Sequence, residues 1–96
     1  MAFTENDTAL ALVKARLNRL PADTGLDPYL TARVSAAVQE LTRIGIRLND
    51  SEDDLMLVVD YTVWSYQNRD NAGAMPEWLR LRRRERWLHM DEEADT

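Results

Sequence analysis

Apolar residues recur at helical spacing in four stretches of the chain, and polar or breaking residues separate the stretches. The third stretch is the richest. Ser51 is placed to cap it, and Glu52, Asp53 and Asp54 set negative charge at the positive end of a helix dipole. At 100° per residue, Leu55, Val58, Val59, Val63 and Tyr66 fall on one face, and Leu57, Tyr61 and Trp64 form a second stripe nearly opposite. A surface helix needs one apolar face, so a helix with two is central in its own domain or shared with another molecule. The pattern predicts this helix over about 52–69.

The other three stretches arrange themselves around it. Asp7 or Thr8 can cap a first helix over about 8–20, with Leu10, Val13, Leu17 and Leu20 on its buried face and Lys14, Arg16 and Arg19 placed to suit the dipole. Pro21 is expected to stop it, and residues 22–25 read as a turn. Asp27 and Pro28 open a second helix over about 28–44, striped by Leu30, Val34, Ala37, Val38, Leu41 and Ile44, with Gly45 as the left-handed residue past its end. Residues 46–48 are too short for a sheet and read as a connector that tucks Ile46 and Leu48 inward. Pro76 starts a fourth helix over about 77–90, with Trp78, Leu81 and Leu88 on one face and Leu79, Trp87 and Met90 around its side. The expectation is an all-α fold: one small four-helix domain over 1–96, packed around a central hydrophobic helix at 52–69. Residues 1–6 read as a loose start and 91–96 as a frayed acidic tail. Val34, Val38, Leu41, Leu55, Val59, Val63 and Tyr66 are the predicted core.

Composition narrows the function more than the fold. With 96 residues and 45% apolar content, the chain can build one core but not two domains. It contains no cysteine, so disulfides and thiolate metal sites are absent. The opening residues lack a signal-peptide pattern, and no apolar run approaches the ~20 residues that span a bilayer, so a soluble protein without a membrane role is expected. The net charge of −5 argues against general nucleic-acid binding. Its distribution is uneven: Arg80, Arg82, Arg83, Arg84 and Arg86 crowd one segment, while acid gathers at 50–54 and in Asp91-Glu92-Glu93-Ala94-Asp95. Such segregation points to docking of unlike patches, within a chain or between chains.

No catalytic template fits. His89 is the only histidine and stands near a helix end, where a cation is favoured without any ligand role. The three glycines are isolated, so no phosphate loop exists. Asp53 and Asp54 are explained by the helix dipole. No enzyme, cofactor or metal site is expected. Asp60 stands out, because a carboxylate inside an apolar run must reach solvent or meet a cation; an arginine of the last helix is the expected partner. Leu57, Tyr61 and Trp64 are read as intrachain packing or as a contact between subunits, since aromatic residues serve both. The arginine segment is read as a solvated face, as a dock for an acidic partner, or as a phosphate contact, with Arg80, Arg83 and Arg84 the candidates for a partner.

The run Leu55-Met56-Leu57-Val58-Val59-Asp60-Tyr61-Thr62-Val63-Trp64-Ser65-Tyr66-Gln67-Asn68-Arg69-Asp70, followed by Met75-Pro76-Glu77-Trp78-Leu79-Arg80-Leu81-Arg82, resembles the small head–tail connector (adaptor) proteins of long-tailed bacteriophages and prophages. The resemblance covers roughly 40 residues: a hydrophobic helix, an aromatic-rich turn and a proline-started basic helix. It implies a structural protein of the virion, made in the bacterial host cytoplasm and built into the head–tail junction. Such subunits form a ring, usually of twelve, beneath the portal protein. They extend the channel through which genomic DNA passes without sequence-specific binding, and they seat the next connector or tail-completion protein. A second reading is a small helical DNA-binding regulator using the basic helix 77–90, which requires Trp78, Leu81, Trp87 and Leu88 to pack behind that helix.

Overall fold

A computed structural model describes residues 3–20, 22–69 and 74–88, and those residues form four helices and no strand. These are α1 (Asn6–Arg16), α2 (Asp27–Arg43), α3 (Glu52–Gln67) and α4 (Glu77–Leu88). α1, α2 and α3 pack on one another, and among the helices α4 packs on α3 alone. α3 is therefore the central helix, and its middle is buried almost all round: Leu57, Val58, Val59, Asp60, Thr62 and Val63 are all inside. Val13, Leu30, Val34, Leu41, Ile46 and Leu79 complete the core from the other elements. Each such aliphatic side chain contributes about 1.5–3 kcal/mol by leaving water.

The helix ends follow local chemistry. The Ser51 hydroxyl accepts from the Asp54 N–H at 3.2 Å, capping α3 as its sequence predicts. α1 begins earlier than its polar residues suggest: Glu5, not Asp7 or Thr8, stands at its N-cap, and the Thr8 hydroxyl donates to the Glu5 carboxylate at 2.8 Å. α1 also ends earlier, at Arg16 rather than at Pro21. Asn18 takes a left-handed conformation at φ 59°, and the Arg19 N–H returns to the Lys14 carbonyl at 2.8 Å. Asparagine tolerates that conformation, so the chain reverses before the proline is reached. Leu20, expected on the buried face, is consequently outside the helix and 73% exposed. Ala9 and Val13 face the core instead, with Leu10 and Leu17 half-buried.

The N-terminal segment is not loose from Phe3 onward. Phe3 joins the core, and both the N–H and the hydroxyl of Thr4 donate to the Asp50 carboxylate at 2.7 Å. These two bonds, the backbone one first, hold the Asp50 carboxyl below its ordinary range. Of the predicted core, Val34, Leu41, Val59 and Val63 are buried, whereas Val38, Leu55 and Tyr66 are half-buried at its edge. The expectations for His89, Met90 and the tail at 91–96 lie outside the described residues.

Gly45 ends α2 in the left-handed conformation the sequence predicts, at φ 107°, and the Ile46 N–H returns to the Leu41 carbonyl at 3.1 Å. Ile46 and Leu48 turn inward and Arg47 outward, as their alternation suggests. Gly45 also seats α4, since a Cβ there would stand 2.9 Å from the Trp87 indole nitrogen. Gly45→Ala is therefore expected to lower stability by roughly 1–2 kcal/mol from backbone strain alone, and to disturb the near-ultraviolet circular dichroism of Trp87. Gly25→Ala is the control, because a Cβ there meets only the Asp23 carboxylate at an ordinary 3.5 Å. Equal urea midpoints for the two variants would refute the seat.

Candidate functional site

Buried charge pairs join the helices, and they decide which way α4 faces. Lys14, itself buried, reaches Asp27 at 3.0 Å and ties α1 to the start of α2. Arg33 of α2 donates to the Ser65 hydroxyl of α3 at 2.8 Å. Asp60 receives Arg82 of α4, the partner type its sequence position calls for, and also Arg16 of α1 at 2.5 Å. Asp54 is 1% exposed, takes Arg86 Nε at 2.7 Å and Nη2 at 3.1 Å, and accepts from the Asn49 N–H at 2.8 Å.

These two carboxylates select the inner edge of α4. Leu79, Arg82 and Arg86 lie at i, i+3 and i+7, the spacing of one helix face, and that face meets α3. The predicted inner face of Trp78, Leu81 and Leu88 is corrected, because all three are about half exposed. The energetics favour this rotation. Leaving Trp78, Leu81 and Leu88 half exposed forgoes about half of the 1.5–3 kcal/mol that each would contribute, whereas each of the two buried carboxylates would cost about 3–5 kcal/mol without its cation.

What remains outside is the candidate site. Trp78, Leu81, Trp87 and Leu88 each expose roughly half their surface, and Leu79 is the one residue of α4 that is fully buried. On the side of Trp87, a groove of about 320 Å3 is lined by Ile44, Arg80, Arg83, Arg84 and Trp87. Arg80 pairs at 2.9 Å with Glu77 in the same turn, and Arg84 makes no ion pair among the described residues. Arg83 lies near the Tyr61 phenol. Burial, then the Glu40 charge, push that phenol above its ordinary pKa, and Arg83 and Arg43 partly oppose them. The groove combines three cations with an apolar floor, which suits carboxylates presented next to an apolar side chain. A recognition-helix arrangement would need the two tryptophans and two leucines behind the helix, and here they stand on its open side.

The second stripe of α3 is not part of this surface. Leu57 is 2% exposed, and Tyr61 and Trp64 are half-buried against each other, edge to face at 5.7 Å. Leu57 as a contact between subunits is therefore corrected. Leu57 lies beside Arg82 and Arg86 and Tyr61 beside Arg83, so part of what reads as a second exposed face is the α3–α4 contact. The acidic patch at 50–54 is likewise engaged within the chain, through Asp54 and Arg86. The sequence reads Asp54 as a helix-dipole residue, Arg86 as one of the arginine segment, and Ile44 and Trp87 as packing residues, so none of the four is among the candidate site residues. A signal existed for two of them: Asp54 shares the stripe of Leu57 and Tyr61, and Arg86 shares the stripe of Leu79 and Arg82.

No family model matches the chain, and no curated protein or solved structure is similar to it. Among the described residues no three acidic or histidine side chains converge as metal ligands, and no helix is long and apolar enough to cross a membrane.

Proposed function

We propose that this protein is an assembly adaptor that joins larger protein bodies through the outer surface of α4, and specifically a head–tail connector subunit of a long-tailed phage or prophage. The observation that carries the reading is the exposure of four large apolar side chains on a twelve-residue helix, beside a groove with three arginines. Exposed apolar surface rimmed by charge is characteristic of protein contacts. The resemblance of residues 55–70 and 75–82 to phage adaptors supplies the specific role: a ring beneath the portal, continuing the DNA channel and seating the next connector. In that ring the α4 surface meets a neighbouring subunit or the portal, and the 57/61/64 stripe stays within its own chain.

Replacing Arg80, Arg83 and Arg84 together with glutamine tests the site. The fold should remain, since exposed arginines contribute little to stability, while tail attachment should fail. Infectious particles of normal yield from that variant would reduce the arginines to a solubilising face. Electron micrographs of the protein mixed with the cognate portal should show rings. Subunits that stay single at high concentration and with the portal would overturn the connector reading.

A further inference from the structure

Two exposed surfaces of the chain match each other in shape and charge. At 100° per residue, Glu77, Leu81, Arg84 and Leu88 lie on the side of α4 opposite Leu79 and Arg86, which face α3. Leu81 and Leu88 are about half exposed, and Glu77 and Arg84 stand exposed beside them. The second surface is on α1. Asp7, Leu10, Ala11, Lys14 and Ala15 lie at i, i+3, i+4, i+7 and i+8, one helix face. Together with Arg19 they line a groove of about 210 Å3. The groove has an acid at its start, the small exposed side chains of Ala11 and Ala15 along it, and an arginine at its far end. Neither Asp7 nor Arg84 makes an ion pair among the described residues.

We propose that the outer face of α4 packs antiparallel into the α1 groove of a second copy of this chain. Glu77 and Arg84 are seven residues apart, as are Asp7 and Lys14, a separation of about 10 Å along a helix. Antiparallel packing therefore sets Arg84 against Asp7, Leu81 over Leu10 and Ala11, and Glu77 over Ala15 within reach of Arg19. Parallel packing sets Glu77 against Asp7 and Arg84 toward Arg19, like charge against like, so the order of charges selects the direction. The two alanines let the leucine ridge of α4 settle between their turns. Glu77 and Arg19 give up only the exposed partners Arg80 and Asp23, and exposed pairs contribute little. Within one chain α1 and α4 do not pack on each other, so the fit operates between copies. Helices of eleven and twelve residues meet over about 16–18 Å. Such a contact buries less than the roughly 1,200 Å2 of a stable interface, so the free protein should pair with a Kd of about 0.1–1 mM. The two surfaces differ, so each copy offers both, and the contact repeats head to tail and closes into a ring when the rotation allows. The place of that ring beneath a portal rests on the adaptor reading above.

The test uses two full-length variants, each with one surface blocked. Leu81→Asp spoils the α4 ridge, and Ala11→Arg fills the α1 groove and sets a cation against Arg84. Both positions are exposed, so circular dichroism and the urea midpoint should match wild type. In sedimentation equilibrium the mean mass of wild type should rise with concentration up to about 1 mM, near the expected Kd. Each variant alone should stay monomeric over that range. Their mixture should form a one-to-one dimer and nothing larger, because it holds one intact ridge and one intact groove. Charge gives an independent readout. Asp7→Arg and Arg84→Glu should each weaken wild-type pairing about fivefold or more, and the two combined in one chain should restore it to within about twofold. A wild type that remains monomeric at about 1 mM would overturn the proposal. So would a mixture that stays monomeric, or an Ala11→Arg variant that still pairs while Leu81→Asp does not, since α4 would then meet itself. The portal experiment separates the two readings. Rings on the portal from both blocked variants would leave the adaptor reading standing and remove this contact. A mixed dimer in a protein that ignores the portal would keep the contact and remove the adaptor.

Discussion

Asp54→Ala is expected to remove about 3–5 kcal/mol of folding stability, a large share of the roughly 5–14 kcal/mol available to a chain of this size. Asp54 is 1% exposed, and its partner Arg86 keeps only 12% of its side chain in solvent. Truncation leaves a guanidinium that cannot easily return to water and an Asn49 N–H without its acceptor. It also removes one of the two anchors of α4. Urea unfolding should show a lower midpoint with little change in slope. The loss should persist at high salt, because a buried pair is poorly screened. Asp54→Asn separates the two contributions, since it keeps an acceptor for Asn49 and loses only the charge, so its cost should be smaller. A wild-type midpoint for Asp54→Ala would mean that Arg86 escapes to solvent and that the pair contributes nothing.

The second large effect is at Asp60, where one carboxylate serves Arg16 of α1 and Arg82 of α4. Asp60→Ala should cost less than Asp54→Ala, about 2–3 kcal/mol, because Arg16 and Arg82 keep 44% and 39% of their side chains exposed and can turn outward. Its structural consequence is wider, since this carboxylate on α3 links an arginine of α1 to one of α4. Arg16→Gln and Arg82→Gln, combined in a double-mutant cycle, should show coupling of 0.5 kcal/mol or more, as expected for two cations on one anion. An unchanged melting temperature for Asp60→Ala, or strict additivity of the two arginine variants, would remove Asp60 from the list of structural anchors.

Much of the fold was legible because it depends on local chemistry. The Ser51 cap, the left-handed Gly45, the proline openings of α2 and α4 and the alternation at 46–48 each follow from a few adjacent residues. The need of Asp60 for a cation was legible for the same reason. A carboxylate in an apolar run has few outcomes.

The facing of α4 was not legible. Hydrophobic periodicity favours Trp78, Leu81 and Leu88 as the inner stripe, and the structure turns Leu79, Arg82 and Arg86 inward instead. The reason lies in α3, where Asp54 and Asp60 are both buried and must be matched by cations from a helix distant in sequence. That choice also made the candidate site, since it left the tryptophans, the leucines and Arg80, Arg83 and Arg84 on the outside. The amino-acid sequence by itself determined that this protein is four helices around 52–69, because caps, breakers and helical period act within a few residues. Only the tertiary structure decided which face of each helix is buried, because the cost of a buried charge depends on what another part of the chain brings to it.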